Sequence, residues 1–227
     1  MKRYAPFIIV VTVALITLGS ATMLYRRSRP VVTTIPKEMT SGTKEGDSIH
    51  VRGHRDASVT VEEFADFQCP PCSLIGGLLS QLEKDFDGRL RVIFRHFPLQ
   101  NHQYARDAAL AAEAAGLQAK FWEMHDQLYR EQAVWSKGPD VRALFNGYAQ
   151  TLGLDVEQFK KDMASPHVIS RVAADIQRGT TLRVTNTPTL FVNNKILEAT
   201  NLNPAGLRAA IEANLKPAEK EKEQPPK

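Results

Sequence analysis

The sequence is poor in cysteine: it has two among 227 residues, Cys69 and Cys72. A fold held together by a disulfide framework needs several cysteine pairs spread along the chain, so that class of protein is excluded. A zinc site with four thiolate ligands is excluded by the same count. What remains is one local pair of thiols with two prolines between them.

A strong charge of either sign is also lacking. Lys and Arg number 29 and Asp and Glu number 25, which gives a formal net charge of +4. The chain is 43% hydrophobic and 24% charged, which is ordinary for a globular protein with a packed core. No basic stripe with interleaved aromatic residues is present, so we expect no nucleic-acid partner.

Charge is absent from residues 4–25, a stretch of 22 residues with an apolar centre. A helix needs about 20 residues to cross a bilayer, so we interpret residues 1–28 as a signal anchor, a transmembrane helix. The alternative is a signal peptide cleaved near Ala21, which would leave a secreted protein. Basic residues flank both ends, so the positive-inside rule does not decide the orientation.

The rest of the chain divides by composition into three parts. Residues 29–49 contain proline, glycine and many hydroxyl side chains with little apolar periodicity, which indicates a linker. Residues 216–227 are rich in Lys, Glu and Pro, which indicates a charged flexible tail. Residues 50–215 between them are expected to form one domain.

Hydrophobic periodicity predicts an alternating set of elements in this domain. Strands are expected at residues 59–67, 90–97, 189–192 and 195–197. Helices are expected at residues 73–86, 104–115, 120–130, 140–151, 155–164 and 166–183, with a last one opening at Asn203-Pro204. The first helix should bury an i, i+4 stripe that contains Leu74, Leu78, Leu82 and Phe86. This order predicts an α/β protein, a thioredoxin fold with a helical subdomain inserted at about residues 100–183.

The spacing of Cys69 and Cys72 suits thiol–disulfide exchange, because two intervening residues let both sulfurs meet across one helical turn. The positive end of a helix stabilises a thiolate at its first residue, and Pro70 and Pro71 suit a first helical turn. Cys69 is thus predicted to be the exposed nucleophile and Cys72 the buried resolving thiol. Half of a metal site and an inert pair are the alternatives.

Two acidic residues precede the thiols on the predicted strand. A buried carboxyl at Glu63 would have a raised pKa and could exchange a proton with Cys72. Glu62 and Glu63 point to opposite faces of a strand, so one of them is expected to face outwards. A surface position for Glu63 therefore stays open, and Asp66 could simply cap the turn.

Thr187-Pro188 stands directly before the third strand, where a proline is unusual. A cis bond here would present the backbone of Thr187 to an extended substrate, whereas an ordinary proline at a strand start is the alternative. Single histidines such as His96, His102 and His125 are more typical of packing or surface roles. A copper site formed by both thiols and a histidine is possible in principle.

The segments FADFQCPPC, FRHFPL, AALAAEAAGLQAKFWEMHDQLY and VTNTPTLFVN resemble the DsbA-like thioredoxin-fold oxidoreductases, and among them the membrane-anchored BdbD type. The resemblance covers about residues 49–215. It implies an extracytoplasmic domain on the cell membrane, with Cys69 as nucleophile, Cys72 as resolving cysteine, Glu63 as the buried acid and Pro188 as a cis-proline. One departure is the Pro70-Pro71 pair, because family oxidases often carry a histidine between the cysteines.

We therefore expect an extracytoplasmic thiol–disulfide oxidoreductase that introduces disulfides into exported proteins. Cys69, Cys72, Glu63 and Pro188 are the predicted catalytic residues, and Thr187, Pro70 and Pro71 are predicted to contact substrate. No cofactor beyond the redox-active pair and no metal are expected. Partners would be cysteine-containing exported proteins, the membrane and a membrane redox protein, either a DsbB-like quinone reductase or an electron donor, and the chain is expected to be a monomer. A reductase or isomerase, or a non-catalytic copper-binding or chaperone module, is the alternative.

Overall fold

The structure, a computed structural model, describes residues 50–215. The predicted anchor (1–28), linker (29–49) and tail (216–227) lie outside these residues.

A five-stranded mixed sheet forms the centre of the described domain, in the order β1-β3-β2-β4-β5. Its strands are β1 (His50–Gly53), β2 (Val59–Ala65), β3 (Leu90–His96), β4 (Thr189–Val192) and β5 (Lys195–Ile196). β2 runs parallel to β3, and the other neighbouring pairs are antiparallel. β1 was not predicted, and the other four strands lie where the alternating pattern placed them.

Eight α-helices accompany the sheet within the described residues. They are α1 (Pro70–Asp85), α2 (Ala105–Gly116), α3 (Phe121–Arg130), α4 (Gln132–Trp135), α5 (Val141–Thr151), α6 (Val156–Met163), α7 (Pro166–Thr181) and α8 (Pro204–Glu212). A 3-10 turn at Ala199–Asn201 precedes α8. Helices α2 to α7 all fall between β3 and β4, so the predicted helical insertion is confirmed.

Both faces of β2 are covered, because its side chains alternate between two buried layers. Val59 and Val61 pack in one cluster with Leu79 of α1. On the opposite face, Phe64 packs with Phe191. Because the strand is buried on both faces, its two acidic side chains, Glu62 and Glu63, lie in a low-dielectric environment.

The predicted apolar stripe of α1 is wrong at its first position. Leu74 is 77% exposed, whereas Ile75 and Leu79 are buried against the sheet. The helix begins at Pro70, three residues earlier than predicted, and its buried face follows Cys72 in i, i+3 and i+7 steps. Leu74 therefore lies on the solvent side, one turn after the first proline.

The helical insertion has its own core. Alanines of α2 pack with Trp135, Phe145 and Phe159 from three other helices of the insertion. The same cluster includes Phe67, Cys69 and Cys72. The thiols thus lie at the junction between the sheet and the insertion.

Candidate active site

Both cysteines lie at the start of α1. Cys69 is the N-cap residue with extended backbone angles, and Pro70 and Pro71 occupy the first two helical positions. Prolines fit there because the first N–H groups of a helix have no partner within it. The backbone N–H of Cys72 donates to the Cys69 carbonyl at 3.1 Å. This turn brings both side chains to the same end of the helix.

The two thiols are free in the structure and differ little in exposure. Cys72 is fully buried and Cys69 is 4% exposed. The predicted exposed nucleophile is thus a nearly buried one, because the loop at Thr187 packs over it. Pro70 and Pro71, which follow Cys69 directly, are exposed.

The pKa values of the two thiols are shifted in opposite directions. A hydrogen bond from the Cys72 thiol is the main cause that lowers the pKa of Cys69 to about 6, against the effect of burial. Burial is the main cause that raises the pKa of Cys72 far above its ordinary value, and its hydrogen bond with Cys69 adds to it. Cys69 is therefore the thiolate near neutral pH, and Cys72 keeps its proton.

Thr187 and Pro188 are joined by a cis peptide bond, as the resemblance implied. The loop lies against the first cysteine, since Cys69 Sγ lies 3.4 Å from the Thr187 carbonyl oxygen. Both loop residues are half-buried. The structure thus brings the Cys69–Cys72 pair together with Thr187 and Pro188, and Thr187 is 118 residues from Cys69 in the sequence.

Glu63 lies on β2 with 1% exposure, paired in register with Phe94 on one side and Leu190 on the other. Its Oε1 atom has no hydrogen-bond partner among residues 50–215. Burial, followed by the negative charge of Cys69, raises the pKa of Glu63 to about 8. At neutral pH it is therefore a mostly protonated carboxylic acid close to the thiols.

The prediction that one of the two glutamates faces outwards is wrong. Glu62 is 6% exposed on the opposite face of β2, where α7 covers the sheet. Its carboxylate accepts from Arg95 at 2.8 Å and from Arg178 at 2.6 and 2.7 Å. Burial alone would raise the pKa of Glu62, but the two guanidinium groups hold it below its ordinary value. Glu62 is thus a buried ion-pair residue.

Asp66 caps the turn before the thiols, one of the roles considered for it. Its Oδ1 accepts from the Gln68 backbone N–H at 2.7 Å, and its Oδ2 lies 2.7 Å from His102 Nδ1 and accepts from the Leu99 N–H at 2.8 Å. These contacts tie the strand end to the chain that follows β3.

The sequence did not reveal Gln132 and Tyr129, two residues of the insertion that contact this turn. The Gln132 amide donates to the carbonyls of Phe67 and Cys69 at 2.6 and 3.0 Å. The Tyr129 hydroxyl is buried without a partner among the described residues. Burial is the main cause that raises the pKa of Tyr129. Neither residue has a local sequence signal, because both approach from about 60 residues away.

A cysteine pair at a helix start, a cis-proline loop beside it and a helical insertion describe a known family. The family with the description "Thioredoxin" matches residues 44–213. The chain belongs to this family. The predicted thioredoxin fold is thereby confirmed for the domain.

Solved structures refine the comparison. The oxidised form of BdbD from Bacillus subtilis is 26% identical, with a TM-score of 0.66 over 74% of this chain and 92% of that one. A thioredoxin-like oxidoreductase from Silicibacter pomeroyi DSS-3 is also 26% identical, with a TM-score of 0.60 over 73% of this chain and 91% of that one. DsbA2 from Pseudomonas aeruginosa, at 24% identity, shares the fold with a TM-score of 0.64 over 78% and 100% of the two chains. These neighbours are DsbA-like, and they support a thiol–disulfide oxidoreductase.

Curated relatives carry a different name. A protein of Salinispora arenicola named Na(+)/H(+) antiporter NhaA 1 is 43% identical over 66% of this chain and 22% of its own length. Its namesake from Mycolicibacterium vanbaalenii is 40% identical over 74% of this chain and 27% of its own length. The chain thus spans about a quarter of the length of these relatives.

The predicted localisation is wrong by this comparison. The sequence predicted a single-pass membrane protein with an extracytoplasmic domain, or a protein secreted after cleavage near Ala21. The matching relatives are named as antiporters instead. Within residues 50–215, no helix has the length and apolarity that a membrane span needs. An apolar run such as residues 7–18 indicates only that a segment can enter a bilayer, and it does not determine where the attached domain resides.

Proposed function

We propose that this protein oxidises cysteine pairs in other proteins through Cys69 and Cys72. The observation that supports this proposal is that the pKa values of the two thiols at the start of α1 are shifted in opposite directions. A stabilised Cys69 thiolate is a good leaving group and favours the reduced form of the pair, which makes the oxidised form a stronger oxidant. This stabilisation arises without a histidine between the cysteines, because the Cys72 thiol supplies the main hydrogen bond.

The reaction starts from the Cys69–Cys72 disulfide. A substrate thiolate attacks Cys69 Sγ, which forms a mixed disulfide and releases Cys72 as a thiolate. A second substrate thiolate then attacks the substrate sulfur, which forms the substrate disulfide and releases Cys69 as a thiolate. Two electrons pass from the substrate to the pair, and both substrate thiols lose their protons.

Glu63 is proposed to supply the proton that Cys72 takes up when it is released. With a pKa of about 8, the carboxyl is mostly protonated near neutral pH and lies in the same buried region. A general acid of this kind typically contributes a rate factor of about 10² or more. Transfer of the proton from Cys72 to Glu63 would activate Cys72 in the reverse reaction, in which Cys72 attacks the mixed disulfide.

Substrate would bind along the cis-proline loop. The Thr187 backbone lies beside Cys69, and Pro70 and Pro71 are exposed next to it. An extended peptide could therefore contact Thr187 with its backbone while its cysteine approaches Cys69. A separate redox partner must reoxidise the pair, and for this partner a DsbB-like quinone reductase stays a prediction, as does the BdbD-type assignment.

Trapping of the mixed disulfide tests the proposal. The Cys72→Ser variant should accumulate covalent adducts with a peptide that contains a disulfide. Cys69 attacks this disulfide and the other peptide sulfur leaves as a thiolate, and no Cys72 thiol is present to resolve the mixed disulfide, which a reductant releases. Cys69→Ser is the matched control and should form none, and only the wild type, in its oxidised form, should produce the peptide disulfide from the reduced peptide.

Absence of adducts in Cys72→Ser, together with no peptide oxidation by the wild type, would refute thiol exchange. Tight copper binding by the wild type in the same preparation would then favour the non-catalytic module. Adducts that form while the oxidised wild type fails to oxidise the peptide would favour a reductase or isomerase.

A further inference from the structure

A second polar cluster lies where β1, β3 and α2 meet. His50 Nε2 lies 2.9 Å from Glu113 Oε1, and His96 Nε2 lies 3.0 Å from the same oxygen. The three atoms that could bind a metal ion, one from each side chain, lie within 4.8 Å of one another. His96 and Glu113 are buried and His50 is nearly so. Among the described residues, these form the single group of three or more potential ligands that meet in this way.

We propose that His50, His96 and Glu113 bind a divalent metal ion of the zinc type. Imidazole nitrogens and a carboxylate oxygen are ligand types that Zn²⁺ uses, and two histidines with one glutamate form a recurrent zinc ligand set. Bonds of about 2.0–2.1 Å in a tetrahedral arrangement place ligand atoms about 3.3 Å apart. The observed nitrogen–oxygen distances of 2.9 and 3.0 Å need to lengthen only by a few tenths of an ångström.

The surroundings hold the three ligands in place. Arg171 Nε donates to the other carboxylate oxygen, Glu113 Oε2, at 3.2 Å, which leaves Oε1 directed at both imidazoles. The His50 ring stacks on Phe121 with 3.3 Å between centroids, and the His96 ring packs edge-on against Phe94 at 5.2 Å. Groups that contact the ligand side chains in this way commonly orient them towards a metal ion. The Arg171 charge offsets the carboxylate, so the ligand set as a whole is close to neutral.

A bound ion would link three parts of the domain. His50 lies on the edge strand, His96 at the end of β3 and Glu113 in the helical insertion. An ion that binds the folded chain and not the unfolded one stabilises the fold in proportion to the logarithm of its concentration over Kd. We therefore assign the site a structural role, as a link between the sheet and the insertion, separate from the thiol chemistry.

Titration of the oxidised protein with Co²⁺, followed by displacement with Zn²⁺, tests the site. The oxidised form is used because a Cys69–Cys72 disulfide offers no thiolate ligands. We expect one ion per chain, a visible Co²⁺ absorption without a thiolate band, and a melting temperature that rises with Zn²⁺. His50→Gln and Glu113→Gln should weaken binding by at least about tenfold, since loss of a group that only hydrogen-bonds a metal ligand already costs about 10- to 100-fold in affinity.

His54→Gln is the matched control, because His54 is exposed four residues from His50 and its loss should leave binding unchanged. Glu113→Gln keeps an oxygen that can accept from the imidazoles, so it serves if His50→Gln does not fold. In the wild type, the ring NMR signals of His50 and His96 should shift on addition of Zn²⁺, which does not depend on any variant folding.

Three results would overturn the proposal. One is the absence of Co²⁺ and Zn²⁺ binding with unshifted ring signals, which would make the group a hydrogen-bonded cluster only. Another is binding that neither variant weakens, and the third is binding that appears only when the thiols are reduced. The rate of peptide oxidation is expected to be the same with and without a chelator. The proposed metal site and the proposed oxidase activity can therefore be refuted independently of each other.

Discussion

Glu63→Gln should stabilise the folded protein at neutral pH while it slows thiol exchange. The Glu63 carboxyl is 1% exposed, and its Oε1 has no hydrogen-bond partner among the described residues. Burial, followed by the charge of Cys69, raises its pKa from 4.5 to about 8. The folded protein therefore keeps the proton in a pH range where the unfolded chain loses it.

The size of the effect follows from this difference in proton binding. Between pH 4.5 and about 8 the unfolded chain ionises and the folded protein does not, so rising pH favours unfolding. Each pH unit in this range changes the free energy of unfolding by about 1.4 kcal/mol, which amounts to about 3 kcal/mol at pH 7. Glutamine does not titrate. The pH-dependent gain in the free energy of unfolding of Glu63→Gln over the wild type should therefore be absent near pH 4 and reach about 3 kcal/mol at pH 7.

Denaturant unfolding of the reduced wild type and of the variant at pH 4 and pH 7 measures this effect. Burial of the uncharged amide changes the free energy of unfolding by the same amount at both pH values. The part of the stability difference that varies with pH therefore comes from the titration of Glu63. The variant should also lose the dependence of exchange rate on a group with a pKa near 8, with a rate at least about tenfold lower at pH 7. If the stability difference between the two proteins is the same at both pH values, Glu63 is ionised in the fold and the reasoning fails.

Three further predictions concern the thiol and its support. Alkylation of Cys69 should reach half its maximal rate near pH 6, and a midpoint near 9.0 would show that the thiolate is not stabilised. Glu62→Gln should destabilise the fold by about 1–3 kcal/mol in denaturant unfolding, because Arg95 loses one of its two carboxylate partners and keeps Asp175; an unchanged free energy of unfolding would contradict this. Gly179→Ala should lower stability by about 1–3 kcal/mol, since the added Cβ would lie 2.7 Å from the Phe97 ring; an unchanged melting temperature would contradict that packing.

Features with a local cause could be predicted from the sequence. Helices α5, α6 and α8 begin directly after Asp140, Asp155 and Asn203, because an N-cap side chain acts on the N–H groups of its own first turn. The Cys69–Cys72 pair is local in the same sense, since its spacing and the following helix are adjacent in the sequence.

Features that depend on distant partners could not be predicted. β1 has four residues, and it becomes a strand only by pairing with β3, about 40 residues further along the chain. The buried position of Glu62 needs Arg178, which α7 brings over the outer face of the sheet. Gln132 and the meeting of His50 with Glu113 likewise arise from how the insertion packs on the sheet.

The reduction potential of the Cys69–Cys72 couple tests the central claim most directly. It can be measured by equilibration of the purified protein with glutathione buffers, with Cys72→Ser as the control that cannot form the disulfide. A stabilised Cys69 thiolate predicts an oxidising couple, near the value of about −120 mV known for DsbA. A potential near the value of about −270 mV known for thioredoxin would show that the pair donates electrons, and would contradict the proposed oxidase.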